Sequence, residues 1–224
     1  MCKKIAIGLA SLGAVAAVMY LRFIRPWYLR WGATDAEVHR PMPGDDLVPQ
    51  PNHESTRAIT IRTSAAEIWP WLVQMGQGRG GLYSYDWLEN LIGLQFSSAD
   101  RIIPEFQHLQ VGDIIPLEPG GSGYRVTSID PNRLLVLGWT EQQDMTSSWV
   151  FMLHELDGEH TRLIVRWRAS VNFKMSPLVI LMSLFINPVE FVMERKMLLG
   201  IKQRAERAIK SRHLSMSRQG HPTT

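Results

Sequence analysis

The chain has one cysteine in 224 residues, Cys2, ahead of everything that reads as folded. No disulfide or thiolate metal site can form within one chain, and a cysteine nucleophile in the folded part is excluded; the redox compartment stays undetermined. Histidine is scattered: His39, His53, His108, His154, His160, His213 and His221 show no H-x-x-x-H or H-E-x-x-H spacing that would set two imidazoles on one helix face. No metal and no cofactor is expected. Ser84 and Ser98 lack a G-x-S-x-G elbow, which argues against a serine hydrolase. Net charge is a modest +3, and the basic tail from Lys202 to Arg218 carries no aromatics among its charges. A nucleic-acid footprint needs clustered cations and stacking aromatics on a folded face, so no nucleic-acid partner is expected. The tail reads as a solvated helix face near anionic lipid.

Long apolar runs are lacking too, with one exception. Ile5 to Leu21 carries no charge, and Arg22, Phe23, Ile24, Arg25, Pro26, Trp27 and Tyr28 follow it directly. A hydrocarbon core of about 30 Å needs roughly 20 apolar helical residues, a length that Ile5 to Ile24 reaches if Arg22 snorkels to the headgroups. Trp27, Tyr28 and Trp31 would then sit at the interface. The rival readings are a cleaved signal peptide, favoured by Lys3, Lys4 and the small Ala14-Val15-Ala16, and a buried core helix. Because the run continues past the cleavage position into an aromatic belt, residues 1–31 are expected to form a single-pass N-terminal membrane anchor. Lys3 and Lys4 nearly balance Arg22, Arg25 and Arg30, so the side of the membrane on which the rest lies is not set.

Residues 32–55 carry Pro41, Pro43, Pro49 and Pro51 with Asp35, Glu37, Asp45 and Asp46, the composition of an extended, poorly packed tether. The roughly 170 residues beyond it suit one domain, expected over 56–212, with a disordered tail over 213–224. A strand at Thr56 to Thr63 alternates Ile59 and Ile61 with Thr60 and Arg62. Ser64 and Glu67 have capping-box spacing, and a helix with Ile68, Trp69, Leu72, Val73 and Met75 on its apolar stripe should run to Gly76. Ser84 should open a second short helix, Tyr83 stapling onto Leu88, with Trp87, Leu88, Leu91 and Ile92 apolar and Gly93 as its stop.

Five period-two segments follow: Val111 to Leu117, Tyr124 to Ile129, Leu134 to Glu141, Ser148 to Leu156 and Thr161 to Val171. Their separators have turn chemistry, so antiparallel strands are expected. In the last, Leu163, Val165, Trp167 and Ala169 alternate with Arg162, Arg166 and Arg168, which predicts one buried face. Ser176 to Arg212 should split at Asn187-Pro188. Its first part, Pro177 to Ile186, is short for a bilayer span and reads as a core helix or an interfacial segment, with a true second span as the third alternative; its second is a long amphipathic helix.

The order strand, two helices, five antiparallel strands, long helix resembles the START-like (SRPBCC) helix-grip superfamily, which includes polyketide cyclases/dehydratases, Bet v 1-like allergens and lipid-transfer domains. The stretch from Met75 to Asn90, the stretch from Ser98 to Glu105, and Phe191 to Leu198 are similar to membrane-anchored bacterial members of it. The resemblance implies an α+β fold in which a curved antiparallel sheet wraps the C-terminal helix, over about Thr56 to Arg212. It implies no settled reaction, because this fold hosts carriers and enzymes alike.

The run Gly76-Gln77-Gly78-Arg79-Gly80-Gly81 satisfies G-x-G-x-x-G, but a helix precedes it and antiparallel strands follow, so it is not a dinucleotide fingerprint. A flexible connection near a cavity mouth is the plainer reading. Tyr83, Tyr85, Asp86, Trp87 and Glu89, with Arg101 further along, would form the polar end of a pocket whose apolar walls are Trp139, Trp149 and Trp167. The bland reading makes Trp87 and Trp167 plain core and Asp86 a helix N-terminal charge. No residue is assigned as catalytic; Asp86 and Glu105 are the carboxylates that desolvation could tune for acid/base work. The expected function is a membrane-anchored carrier or sensor of an apolar small molecule or lipid, in a bacterial cell membrane. The alternatives are a cyclase- or dehydratase-like enzyme using a cavity carboxylate, and a scaffold or partner-binding protein.

Overall fold

A computed structural model describes residues 18–142, 145–171 and 177–219, with Ser11, Gly13 and Val15 besides. The expected anchor falls largely outside these residues. Among the described residues no helix is long and apolar enough to cross a membrane. A π-helical turn, Tyr20–Ile24, leads into α1 (Arg25–Leu29), and α2 (Asp35–His39) follows. Next come β1 (His53–Ile61), α3 (Ala65–Val73) and α4 (Asp86–Leu91). The sheet continues with β2 (Ile114–Pro116), β3 (Gly123–Asp130), β4 (Leu134–Gln142), β5 (Met145–Asp157) and β6 (His160–Val171), and α5 (Pro177–Gln219) closes the chain.

The six strands form one antiparallel sheet in the order β1-β6-β5-β4-β3-β2, so the first strand pairs with the last. Irregularities at Val126/Ser128, Trp139/Gln142 and Glu155/Asp157 bend it, as an extra residue in one strand must. The main core lies between the inner face of the sheet, α3 and α5, with Ile61, Leu72, Leu135, Phe151, Leu163, Leu198 and Ile201 buried. Gly200 lets α5 approach the Tyr83 backbone, since a Cβ there would collide with the Tyr83 carbonyl. This sheet and C-terminal helix are the helix-grip arrangement that the resemblance implied.

The tether expectation fails, because residues 32–48 pack against the outer face of the sheet. Thr34 and Glu37 make a capping box that starts α2. Met42 is buried against Ala58, Val136, Val150 and Ile164, with Leu47 beside it. Gly44, at φ 89°, presses flat on Val136 and Val150, where a side chain would clash. The acidic residues of this strap meet the arginines of β6. Arg162 takes Glu37 with two bonds of 2.7 and 2.8 Å, and Arg166 donates to Thr56, the Arg40, Glu37 and Val38 carbonyls, and Asp45. Both faces of β6 are therefore covered.

Local details differ as well. Ser64 precedes α3 without a side-chain cap bond; Glu155 accepts the Ala65 N–H instead at 3.0 Å. The glycine run is a fixed loop rather than a flexible one: Gly76 and Gly81 exchange backbone bonds, and Arg79 donates to the Met75 and Val73 carbonyls. The second helix begins at Asp86, not Ser84, whose hydroxyl donates to the Met193 carbonyl at 3.0 Å. α5 runs unbroken through Pro188 and on to Gln219, into the expected tail. A proline removes one helical hydrogen bond without having to end the helix, and the next turn is held by Arg57, which bridges Glu190 and Glu194. The side chains of 177–186 lie outside the described residues, as does the choice between a core and an interfacial role for them.

Candidate ligand-binding site

A cavity of about 530 Å³ opens between the inner face of the sheet, α4 and α5. That lies within the roughly 300–1,000 Å³ usual for small-molecule sites. Leu82, Leu117, Trp149, Trp167, Met193 and Met197 make its walls almost wholly apolar. The two tryptophans are directly paired across β5 and β6, which sets their rings side by side on the inner face. Their N–H groups are engaged by fixed partners in the same wall. Trp167 donates to the Tyr124 hydroxyl at 2.8 Å, which shares a 2.9 Å bond with Ser147. Trp149 donates to Glu194 at 3.2 Å.

Polar groups meet the cavity from two sides. On the α5 side, Glu190 and Glu194 share the buried Arg57, which also donates to the Tyr28 carbonyl at 2.9 Å. His53 lies 3.8 Å from Glu190 and edge-on to Trp167, and burial holds its pKa below the ordinary histidine value against the pull of Glu190. Burial also raises the Tyr124 phenol pKa, keeping it neutral.

On the opposite side stands Glu89 of α4, 1% exposed, with neither carboxyl oxygen bonded to any described group. Burial first, and the Asp86 charge second, push its pKa up to about 7. α4 is turned inside out. Its acid faces the cavity while Trp87, Leu91 and Ile92 are 68%, 75% and 72% exposed. A helix of a globular domain normally hides its apolar stripe, so the expectation of Trp87 as core or pocket wall does not describe its place.

Of the residues singled out from sequence, Glu89, Trp149 and Trp167 line the cavity. Trp139 packs edge-on against Tyr124 with ring centroids 5.3 Å apart, just behind the wall. Tyr83 belongs to the core: its hydroxyl donates to the Trp71 carbonyl at 3.0 Å, and burial lifts its pKa beyond the usual range. Tyr85 stacks with Lys196, 5.6 Å from its ring centre, and Trp87. Asp86 accepts from the Ser98 N–H and hydroxyl at 2.7 and 2.6 Å, which makes it a loop clamp. Arg101 and Glu105 are exposed and away from the cavity. Sequence reasoning missed Tyr124, Glu190, Glu194 and Met193; the spacing Glu190, Glu194 on one helix face was the available signal. Among the described residues no group of three or more metal-ligating side chains could hold a metal ion.

No protein-family model and no curated protein matches the chain. Solved structures of similar fold include a START superfamily protein from Mycobacterium smegmatis, 12% identical over 68% of this chain and 99% of that chain, with a TM-score of 0.39. The Zhui aromatase/cyclase from Streptomyces sp. R1128 is 16% identical over 70% of this chain and 95% of that chain, at 0.40. The Aha1 dimer from Colwellia psychrerythraea is 16% identical over 69% and 96%, at 0.38. Similarity at this level says nothing of ligand or reaction.

Proposed function

We propose that this chain is a carrier or sensor that holds an apolar small molecule or lipid between its sheet and its C-terminal helix, at a membrane surface. The observation that carries this reading is the cavity itself: about 530 Å³, walled by paired tryptophans, leucines and methionines. An apolar space of that size stays dry or takes an apolar guest. The membrane part is supported by the exposed Trp87 and Leu91 of α4 and Ile92 just after it, and by Val189, which lines the cavity and is itself half exposed. Together with the apolar segment from Ile5 to Ile24, acting as an anchor, this rim would let a ligand load from the bilayer.

The test is to purify the full chain, extract its small molecules for mass spectrometry, and measure the intact complex by native mass spectrometry. One apolar compound per chain is expected. A chain that arrives empty and stays empty when mixed with lipid vesicles would overturn the reading. A second reading, acid/base catalysis of a cyclase- or dehydratase-like step, is favoured by Glu89 alone, because a buried carboxyl titrating near neutrality can both accept and return a proton. Glu89→Gln that binds a turned-over compound but no longer converts it would support that role; undiminished turnover would remove it.

A further inference from the structure

Buried polar groups in a folded chain are hydrogen-bonded, and each exception needs a reason. Among the residues that line this cavity the exceptions are of one kind. Both oxygens of Glu89 and Oε2 of Glu190 lack a hydrogen-bond partner among the described residues, and Oε2 of Glu194 meets only the Arg57 charge; behind the wall, Nη2 of Arg57 and Nε2 of His53 lack one too. All four atoms in the lining are carboxylate oxygens. The donors nearby are engaged: Ser84 on the Met193 carbonyl, Trp149 on Glu194, and Trp167 on Tyr124. Charge leans the same way, for Glu89, Glu190 and Glu194 line the cavity, and among the described residues Arg57, behind the wall, pairs with Glu190 and Glu194 but not with Glu89. Glu89 has Asp86 rather than a cation beside it.

We propose that the ligand is an amphiphile with a protonated amine head, whose N–H groups bond to the Glu89 carboxylate while its apolar body lies on Trp149, Trp167 and Met197. This deepens the binding reading above and rests on it. An ammonium brings donors only, which matches acceptors only, and its charge offsets the cost of a buried carboxylate. A fatty-acid head would set a fourth carboxylate among three, and an alcohol would fill one acceptor and leave the charge unpaired. The phosphate of an aminophospholipid meets the same carboxylates as a fatty acid does, which makes a free amine the fitting source.

The experiment is a calorimetric titration of the full chain with three water-soluble probes of one body and three heads: phenylbutylamine, phenylbutanol and phenylbutanoate. Wild type should bind the amine at least about tenfold more tightly than either other probe. In Glu89→Gln, which removes a buried charge and should fold at least as well, that preference should fall to about twofold or less. Amine affinity in wild type should also rise as pH climbs through about 7. The titratable groups near Glu89 are Asp86 on its own helix and, lining the same cavity, Glu190 and Glu194 from α5 and Tyr124 from β3, so the control is the loss of that rise in Glu89→Gln. Equal binding of all three heads, or preference for phenylbutanoate, would overturn the amine while leaving a ligand cavity in place. Binding of none, together with an empty purified chain, would overturn both. Displacement of the amine by phosphatidylethanolamine vesicles would overturn the free-amine source.

Discussion

The arginines beneath the strap and the glutamate of α4 treat buried charge in opposite ways. On the outer face, Arg166 is matched donor by donor with Thr56, Asp45 and three strap carbonyls, and Arg162 by Glu37, Thr60 and the Gly32 carbonyl. On the inner side, Glu89 is as deeply buried and has no partner among the described residues. Saturated groups hold a fold together, because satisfying them within the chain is what made their burial tolerable. An unsaturated one marks a place where the chain stops short of completing itself. The strap is therefore architecture, and the cavity is where a second molecule belongs.

The strongest way to break that comparison is to remove the strap. A fragment beginning at Asn52 would strip Met42 and Leu47 from their apolar cluster and leave Arg162, Arg166 and Arg168 without Glu37 and Asp45. It is expected to lose more stability than any point variant and to show a weakened near-ultraviolet circular dichroism signal; a fragment as stable to urea as the full chain would show the strap to be dispensable. Arg166→Met is next. It leaves Asp45 and the strap carbonyls facing an apolar side chain, so a loss of about 3–5 kcal/mol in urea unfolding is expected.

Glu89→Gln should move the other way. The folded carboxyl titrates near 7 against 4.5 in the reference state, so folding takes up a proton between those values and stability falls as pH rises from about 4.5 to 7. Above that window the variant is expected to be more stable than wild type by on the order of 2 kcal/mol, and by nothing at about pH 4. Glu37 has the opposite sign. Its pKa is held down at about 2, chiefly by Arg162, so its contribution is present above about 4.5 and drains away as pH falls toward 2. Thermal unfolding across pH reads both, and a wild-type profile flat between 5 and 8 that matches Glu89→Gln would contradict the first (about the width of that window). The smallest effect is expected from Thr34→Ala, about 1 kcal/mol for the capping box that starts the strap helix.

The strands were legible because alternation is a local signal: the inward set Leu163, Val165 and Trp167 of β6 is read from six residues. The strap was not, since its prolines and acids look like tether until Asp45 meets Arg166, 121 positions away in the chain. Arg162, Arg166 and Arg168 promised a solvent face for the same reason. Trp149 and Trp167 could be placed at the cavity from their strands alone. α4 could not be oriented, because the rule that sends Trp87, Leu91 and Ile92 inward is the rule the site inverts. Glu190 and Glu194 went unnoticed because the helix that carries them was expected to serve only as core.

The most direct test of the central claim is native mass spectrometry of the purified full chain beside Met193→Trp, a variant that fills the cavity from α5 without touching the strap. Wild type should carry one apolar small molecule per chain, and the variant should arrive empty with its urea midpoint nearly unchanged. Equal occupancy in the two would contradict the claim that this cavity holds the ligand.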